Sequence, residues 1–207
     1  IGAVTIIVAV MIAMVQHDVR RLLAWHAISQ VGYMVLGIGT MNPIGIAGGL
    51  FHMLNNSLYK SCLFLCVGAV ERRTGSTDLD ELGGLARQMP ASFAAFLVAA
   101  LAISGVPPLN GFASKWLIYQ GLVQDGSAAA FAFLVVAMFA SALTMASFLK
   151  ALTGIFLGQG SARTMHVRGE AHAAMVAPAI VLALLCILAG VFYRIPLAAL
   201  AGGAAGT

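Results

Sequence analysis

Residues 93–122 read FAAFLVAALAISGVPPLNGFASKWLIYQGL, an apolar segment that is interrupted at its centre. Its first half ends near Gly105 and its second half begins near Gly111, with Pro107 and Pro108 between them. Because proline lacks a backbone N–H and clashes with the preceding turn, these residues predict a break in a helix. Unwound backbone at membrane depth is stable only where protein buries it or where it lines a wet cavity. The segment therefore predicts a broken transmembrane helix.

The rest of the chain also has the composition of a membrane protein. Of its 207 residues, 61% are hydrophobic and 9% are charged, whereas soluble domains carry about 25% charged residues. No alternating pattern of period two indicates strands. We predict an all-α, polytopic membrane protein of about six transmembrane helices, one of them broken. The predicted helices are residues 1–15, 22–41, 44–70, 91–123, 128–157 and 175–193.

The first predicted helix begins at Ile1, inside an apolar run. As a helix this run is roughly 22 Å long, which is shorter than the roughly 30 Å hydrocarbon core of a bilayer. We therefore expect the chain to be an internal or C-terminal portion of a longer protein.

The arginines predict the orientation of the helices. Seven of the eight fall in three loops that lie on one side if every helix crosses the membrane once, and only Arg194 falls on the other side. Such an excess predicts that the three loops are cytoplasmic. The net charge of +4 is thus explained by arginines that set the orientation in the membrane, and we expect no nucleic-acid partner. The seven are Arg20, Arg21, Arg72, Arg73, Arg87, Arg163 and Arg168.

All three lysines, Lys60, Lys115 and Lys150, fall inside apolar segments. A lysine at the bilayer centre costs about 2.5–3.5 kcal/mol on insertion scales. Packing alone does not offset this cost, so we expect a polar path or a hydrogen-bonding partner beside these side chains.

The helix of residues 44–70 carries a polar stripe. His52, Asn56 and Lys60 follow one another at a spacing of four, so they wind slowly along one face over about 12 Å. Histidine titrates near neutral pH, and the stripe therefore predicts a path for protons. The alternative is that His52 and Lys60 only hydrogen-bond neighbouring helices.

Further candidates lie on three other helices. Ser114 and Lys115 follow the helix break, where transporters often bind ions; the alternative is a proline kink from which Lys115 reaches the surface. Lys150 either joins the path or reaches the cytoplasmic side. His26 either joins the path or lies at the membrane interface.

The three cysteines predict packing. Cys62 and Cys66 share a helix face, without a histidine or carboxylate at ligand spacing, and Cys186 stands alone. Because free cysteine behaves as a small hydrophobic residue, we expect no metal site and no cofactor on this chain.

Five motifs together resemble one known family. In order and spacing they are similar to the proton-conducting, antiporter-like membrane subunits shared by respiratory complex I, Mrp-type cation/proton antiporters and membrane-bound nickel–iron hydrogenases such as hydrogenase-4. The resemblance extends to about residue 157. The motifs are DVRRLLA at 18–24, SQVGYM at 29–34, the His52 to Lys60 stretch followed by LFL at 63–65, LDELGGL at 79–85 and GVPPLNGFASK at 105–115.

The resemblance implies a fold of about fourteen spans with two inverted five-helix repeats. Residues 1–157 would be the second repeat, and residues 158–207 a cytoplasmic loop, the last span and a tail. It also implies that His52 and Lys60 belong to a central polar axis and that Lys115 is the broken-helix lysine of the outward half-channel. The sequence departs from the family pattern at Asn56, where many members carry a histidine, and at His26, where a small hydroxyl residue is common.

The resemblance further implies a proton-translocating subunit of a redox-driven complex, of the NADH:quinone oxidoreductase or hydrogenase type, in a bacterial or archaeal plasma membrane. Its expected partners are other membrane subunits, a peripheral redox arm, lipid and protons, with Na⁺ left open. Two alternatives are a subunit of a multisubunit cation/proton antiporter and a scaffold that anchors a peripheral arm. Whether the chain counts as part of an enzyme is also left open, because the residues do not separate the first two possibilities.

Overall fold

The computed structural model describes residues 1–198, which form a bundle of helices. Within that range the chain forms no β-strand, and the prediction of an all-α fold is confirmed. A π-helical segment, Thr153–Leu157, follows the sixth helix directly. The helices are α1 (Gly2–Met14), α2 (Val19–Gly39), α3 (Pro43–Thr74), α4 (Pro90–Ser104), α5 (Asn110–Asp125), α6 (Ala128–Leu152) and α7 (Ala173–Val191).

Several helices are suited to a bilayer. By length and composition, α2, α6 with its π-helical segment, and α7 are long and apolar enough to cross a membrane, and α1 and α4 are shorter apolar helices. Large apolar side chains on the outside of α6 and α7 are more than half exposed. A surface of this kind suits contact with lipid. These side chains include Val135, Phe139, Val181 and Leu184.

The start of α2 and the end of α3 lie outside the predicted bounds, because residues just outside the apolar runs extend these helices. α2 begins at Val19 and not at residue 22, since the Asp18 carboxylate accepts the backbone N–H of Arg21 at 2.9 Å and caps the helix. α3 continues beyond residue 70 to Thr74 and ends at Gly75, which has a left-handed φ of 73°.

The break in the fourth predicted helix is confirmed. α4 ends at Ser104 and is followed by Gly105 with a φ of 85°, and α5 begins at Asn110. The two half-helices touch backbone to backbone, because a Cβ at Gly111 would lie 1.9 Å from the Ala102 carbonyl oxygen. Pro107 and Pro108 lie between the two halves, as predicted.

The apolar core consists of two clusters. One packs α3 against α4 and α7, and the other packs α1 and α2 against α5 and α6. His52 lies between them, because its ring neighbours Tyr59 of the first cluster and Tyr33 of the second. The polar interior of the bundle therefore lies where the two clusters meet.

The three arginine-bearing loops meet at one end of the bundle, as the charge pattern predicts. The N–H of Leu79 donates to the His17 carbonyl at 2.9 Å, and Arg163 pairs with Glu81 at 3.1 Å. These contacts join all three loops. The boundary at residue 157 between a repeat and a last span stays a prediction, and residues 199–207 of the predicted tail lie outside the described residues.

Candidate functional site

Helix α3 carries polar side chains through the middle of the bundle. At 1.5 Å per residue, His52 lies about 14 Å and Lys60 about 26 Å from Pro43, on a helix about 47 Å long. His52 is 0% exposed and Lys60 is 7% exposed. Both side chains therefore lie in the buried, central part of the helix.

His52 links three helices. Its Nδ1 lies 2.9 Å from the Ser114 hydroxyl of α5, and its Nε2 lies 3.0 Å from the Gln30 side-chain oxygen of α2. The Tyr59 hydroxyl is a more distant neighbour, at 3.4 Å from Nε2. The structure thus brings together His52 and Ser114, which the sequence analysis singled out, and adds Gln30 and Tyr59, which it missed.

The Lys115 amine faces the interior of the bundle. The side chain is 2% exposed, which contradicts the alternative that Lys115 reaches the surface. Its Nζ donates to the Ile103 carbonyl at 2.9 Å, across the break, and to the Ser141 hydroxyl at 3.1 Å. It also lies 4.7 Å from the centre of the Tyr33 ring.

The Lys60 amine donates to the Leu23 carbonyl of α2 at 2.5 Å. It also lies 5.8 Å from the centre of the Phe64 ring. Among the described residues, no direct hydrogen bond joins Lys60 to His52. The two ends of the predicted stripe are therefore both buried but are separate from each other.

Asn56 does not bridge His52 and Lys60. Its Oδ1 is buried without a protein hydrogen-bond partner among the described residues. The preceding residue, Asn55, instead faces the helix break. Its Nδ2 donates to the backbone carbonyl of Asn110 at 2.9 Å, and its Oδ1 accepts from the side-chain Nδ2 of Asn110 at 3.2 Å. The spacing of His52, Asn55 and Tyr59, at i, i+3 and i+7, is the helical signal that could have identified this face.

His26 and Lys150 lie apart from this site. His26 is fully buried, and its Nε2 lies 2.8 Å from the Ser147 hydroxyl of α6. Lys150 donates to the Met14 and Gln16 carbonyls at 3.2 and 2.8 Å, where α1 ends. The structure joins neither residue directly to Lys60, His52 or Lys115.

The interior also contains polar atoms that find no protein partner among the described residues. Buried polar atoms are usually hydrogen-bonded, and an internal water molecule is the ordinary partner for those that are not bonded to protein. These atoms are His26 Nδ1, Gln30 Nε2, Asn56 Oδ1 and Asn110 Oδ1 on the helices, and Gln88 Oε1 in the loop before α4.

The cysteines pack between helices. The Cys62 sulfur lies 3.2 Å from the Ala179 carbonyl oxygen of α7 and 3.5 Å from the Ala95 carbonyl oxygen of α4, and its single hydrogen is shared between these two acceptors. Within residues 1–198, no group of three or more His, Cys, Asp or Glu residues is placed to hold a metal ion. The polar side chains of this interior are amines, imidazoles, amides and hydroxyl groups.

Comparisons of the sequence and of the structure with known proteins all point to the same family. Residues 1–144 match the model of the family described as NADH:quinone oxidoreductase/Mrp antiporter, transmembrane. The chain is 34% identical over 209 residues to formate hydrogenlyase subunit 3 of Escherichia coli (strain K12), an alignment that covers 92% of this chain and 34% of that protein. The chain thus spans about a third of the length of this curated relative.

Two solved structures have the same fold. One is the Mrp complex from Dietzia sp. DQ12-45-1b, with a TM-score of 0.87 and 29% identity over 95% of this chain and 44% of that chain. The other is respiratory complex I from Thermus thermophilus with bound NADH, with a TM-score of 0.85 and 28% identity over 95% of this chain and 42% of that chain.

These comparisons confirm the resemblance and the expected location. The matching family is described as transmembrane and the relatives come from bacteria, in agreement with the predicted bacterial or archaeal plasma membrane. The chain therefore belongs to the NADH:quinone oxidoreductase/Mrp antiporter transmembrane family, as an antiporter-like integral membrane subunit.

Proposed function

We propose that this chain is the C-terminal part of a proton-translocating subunit of a redox-driven complex, of the NADH:quinone oxidoreductase or hydrogenase type. The observation that carries the proposal is the burial of two lysine amines among neutral oxygen atoms. Lys60 donates to one carbonyl, and Lys115 donates to one carbonyl and the Ser141 hydroxyl. The ion pairs within residues 1–198 all belong to the end of the bundle where the arginine loops meet.

A buried ammonium group without a carboxylate partner is costly. In membrane proteins, ionisable residues in such positions typically mark ion paths and proton relays. The Lys115 amine lies beside the helix break, where it is covered by protein, although Pro107 and Pro108 of the break are themselves exposed. These features favour a role in proton transfer over a purely structural role.

In this proposal His52 lies between the two amines. It binds Ser114, which precedes Lys115 in α5, and Gln30, which lies on the same helix as the Leu23 carbonyl that holds Lys60. Water bound at the unpartnered atoms of Gln30 and Asn56 would complete the connection between Lys60 and His52. Lys115 would then pass protons to the side opposite the arginine loops.

The proposed partners supply the energy. The redox reactions would take place on other chains, which we propose to be further membrane subunits and a peripheral redox arm. The similarity to a formate hydrogenlyase subunit and to respiratory complex I supports this arrangement. We assign no cofactor to the present chain.

A second candidate is a subunit of a multisubunit cation/proton antiporter, which would carry Na⁺ as well as protons. The similarity to the Mrp complex, with a TM-score of 0.87, favours this possibility. In membrane vesicles, an electron donor should drive proton movement by a redox-driven complex, whereas an imposed Na⁺ gradient alone should drive it in an antiporter. Genes for hydrogenase or quinone-reductase subunits next to this gene would support the first candidate.

The test uses the full-length protein in its assembled complex, in sealed membrane vesicles. We expect Lys115→Ala to abolish most of the proton translocation while the complex still assembles. Ser104→Ala is a matched control, because this hydroxyl is buried near the break but bonds only to the Ala100 carbonyl of its own helix. Full proton translocation in the double variant Lys60→Ala/Lys115→Ala would contradict the proposal and leave the scaffold role.

A further inference from the structure

The Ser141 hydroxyl of α6 is the meeting point of three polar side chains. It lies 2.8 Å from the Tyr33 hydroxyl, 2.8 Å from the Tyr119 hydroxyl and 3.1 Å from the Lys115 amine. A serine hydroxyl offers one hydrogen and two lone pairs. These three neighbours therefore use its whole hydrogen-bonding capacity.

The chemistry of these partners sets a direction for the hydrogen bonds. An ammonium group only donates, so the Ser141 oxygen accepts from Lys115. The Tyr33 hydroxyl gives its one hydrogen to the Ala137 carbonyl, so it accepts the single hydrogen of Ser141, and Tyr119 donates to the Ser141 oxygen. Tyr33 is fully buried, and its hydroxyl donates to the Ala137 carbonyl at 2.6 Å, so this branch ends inside the bundle.

The branch through Tyr119 leads to the surface. Tyr119 is partly exposed and lines a groove of about 440 Å³ between the start of α3, the second half of α5, and α6. Two amide side chains, Gln120 and Gln124, also line this groove. The remaining lining residues are Ile44, Trp116, Val123, Leu134 and Met138.

The groove lies toward the end of the bundle that is opposite the arginine loops. Ile44 is the second residue of α3, and Gln124 is one residue before the end of α5. Gln124 lies about 14 Å farther along α5 than Lys115, at 1.5 Å per residue. The groove therefore extends from beside Tyr119 toward the side to which Lys115 would release protons.

We propose that Ser141 and Tyr119 form the exit relay for the proton of Lys115. The Ser141 hydrogen first rotates from Tyr33 to Tyr119, and the Tyr119 hydrogen rotates from Ser141 to water in the groove. Lys115 then gives a proton to the Ser141 oxygen while Ser141 passes its own hydrogen to Tyr119 and Tyr119 passes its hydrogen to that water. Each hydroxyl loses one hydrogen and gains one, so both stay neutral, and one proton leaves the lysine for each proton that reaches water. Rotation of the two hydroxyls then resets the relay. This inference rests on the proposed function.

The test again uses vesicles that contain the full-length complex, with proton translocation measured per assembled complex. Ser141→Ala and Tyr119→Phe each remove a hydroxyl but little volume. We expect each to lower the translocation rate about tenfold or more, since positioned proton-transfer groups contribute rate factors of this order or larger. Ser141→Thr, which restores a hydroxyl, should recover most of the rate.

Thr144→Val is the matched control, because this buried hydroxyl lies on the same helix but bonds only to the Ala140 carbonyl. It should translocate at the wild-type rate. If Ser141 only positions Lys115, Ser141→Ala will slow translocation but Tyr119→Phe will not, and the relay is wrong. The Lys115→Ala variant separates the two proposals. If Tyr119→Phe translocates protons at the normal rate and Lys115→Ala does not translocate them, only the relay is wrong. If both variants translocate protons at the normal rate, the proposed function is wrong as well.

Discussion

The amine of Lys115 lies over the ring of Tyr33, with 4.7 Å between Nζ and the ring centre. The same ring lies 5.7 Å from the ring of His52, so Tyr33 stands between the two ionisable groups. An ammonium group over an aromatic face is stabilised by about 0.5–2 kcal/mol. In the absence of a neighbouring carboxylate, this contact and two hydrogen bonds hold the amine at the helix break.

The Tyr33 ring should therefore matter more than its hydroxyl. We expect Tyr33→Leu to lose the cation–π contact of about 0.5–2 kcal/mol and to lower both the unfolding temperature and proton translocation. Tyr33→Phe keeps the ring and should lie between wild type and Tyr33→Leu in both measurements. Equal values for the phenylalanine and leucine variants would show that the ring does not hold Lys115.

The close contact between the two half-helices gives a stability prediction. Because a Cβ at residue 111 would lie 1.9 Å from the Ala102 carbonyl oxygen, Gly111→Ala forces α4 and α5 apart. We expect a loss of about 1–3 kcal/mol, as for other overpacked sites, measured as a lower unfolding temperature in detergent. Gly39→Ala is the control, because a Cβ at Gly39 meets no atom within 4 Å; a similar loss there would contradict this explanation.

A distant loop caps the first half of the broken helix. α4 has no side-chain cap of its own, and the Glu170 carboxylate accepts from the N–H groups of Ala91 and Ser92 at 2.6 and 3.1 Å and from the Ser92 hydroxyl at 2.7 Å. We expect Glu170→Ala to cost about 1–2 kcal/mol, as for the loss of a charged helix cap. Hydrogen exchange at the start of α4 should increase in this variant.

Asp80→Ala is the control for Glu170→Ala. Asp80 is also a loop carboxylate, but its partner His17 is exposed, and exposed ion pairs contribute only about 0–1 kcal/mol. The exchange rates at Ala91 and Ser92 should therefore not change in Asp80→Ala. An equal increase in both variants would mean that general loosening of the loops, and not the cap, controls the start of α4.

The broken helix and the buried lysines could be predicted from the sequence, because each depends on local chemistry. Pro107 and Pro108 cannot continue a helix, and a lysine at membrane depth is costly enough to require a polar environment, whichever residues supply it. The neighbours themselves could not be predicted. Tyr33 and Ser141 come from α2 and α6, and the faces that these helices turn toward Lys115 depend on the packing of the whole bundle.

The choice of Asn56 shows a limit of periodicity within one helix. A spacing of four connects His52, Asn56 and Lys60, but a helix has 3.6 residues per turn. The face of α3 that is directed toward the interior and the break therefore carries Asn55 and Tyr59 instead of Asn56. The helix ends were predicted to within a few residues. The error at α2 arose because the capping role of Asp18 lies outside the apolar run.

Acid should weaken the connection between the first and second arginine loops. Burial raises the pKa of the Asp18 carboxyl, but hydrogen bonds from the Thr77 hydroxyl and the backbone N–H groups of Arg21 and Arg20 together bring its pKa below the usual value. Because the folded-state pKa is the lower one, this stabilisation is present above the unfolded pKa of about 3.9. It is lost as the pH falls through the folded-state pKa.

The measurement is the unfolding temperature of the detergent-solubilised protein from about pH 7 to about pH 3. Asp18→Asn keeps a capping oxygen but no charge, so it should be less stable at neutral pH and should lose less stability on acidification. Thr77→Val removes one of the hydrogen bonds and should move the acid loss to a higher pH. An unchanged acid profile in both variants would show that Asp18 does not control it.

Lys150 caps the C-terminal end of α1, where its amine donates to the Met14 and Gln16 carbonyls. A cation at a helix C-terminus contributes about 0.3–1 kcal/mol, so we expect Lys150→Met to lower the free energy of unfolding by this amount and Lys150→Arg to retain most of it. Because arginine does not release its proton, the arginine variant also tests one of the two alternatives for Lys150, a place in the proton path. Loss of translocation in a stable Lys150→Arg complex would support that place, whereas unchanged translocation would leave Lys150 with the capping role alone.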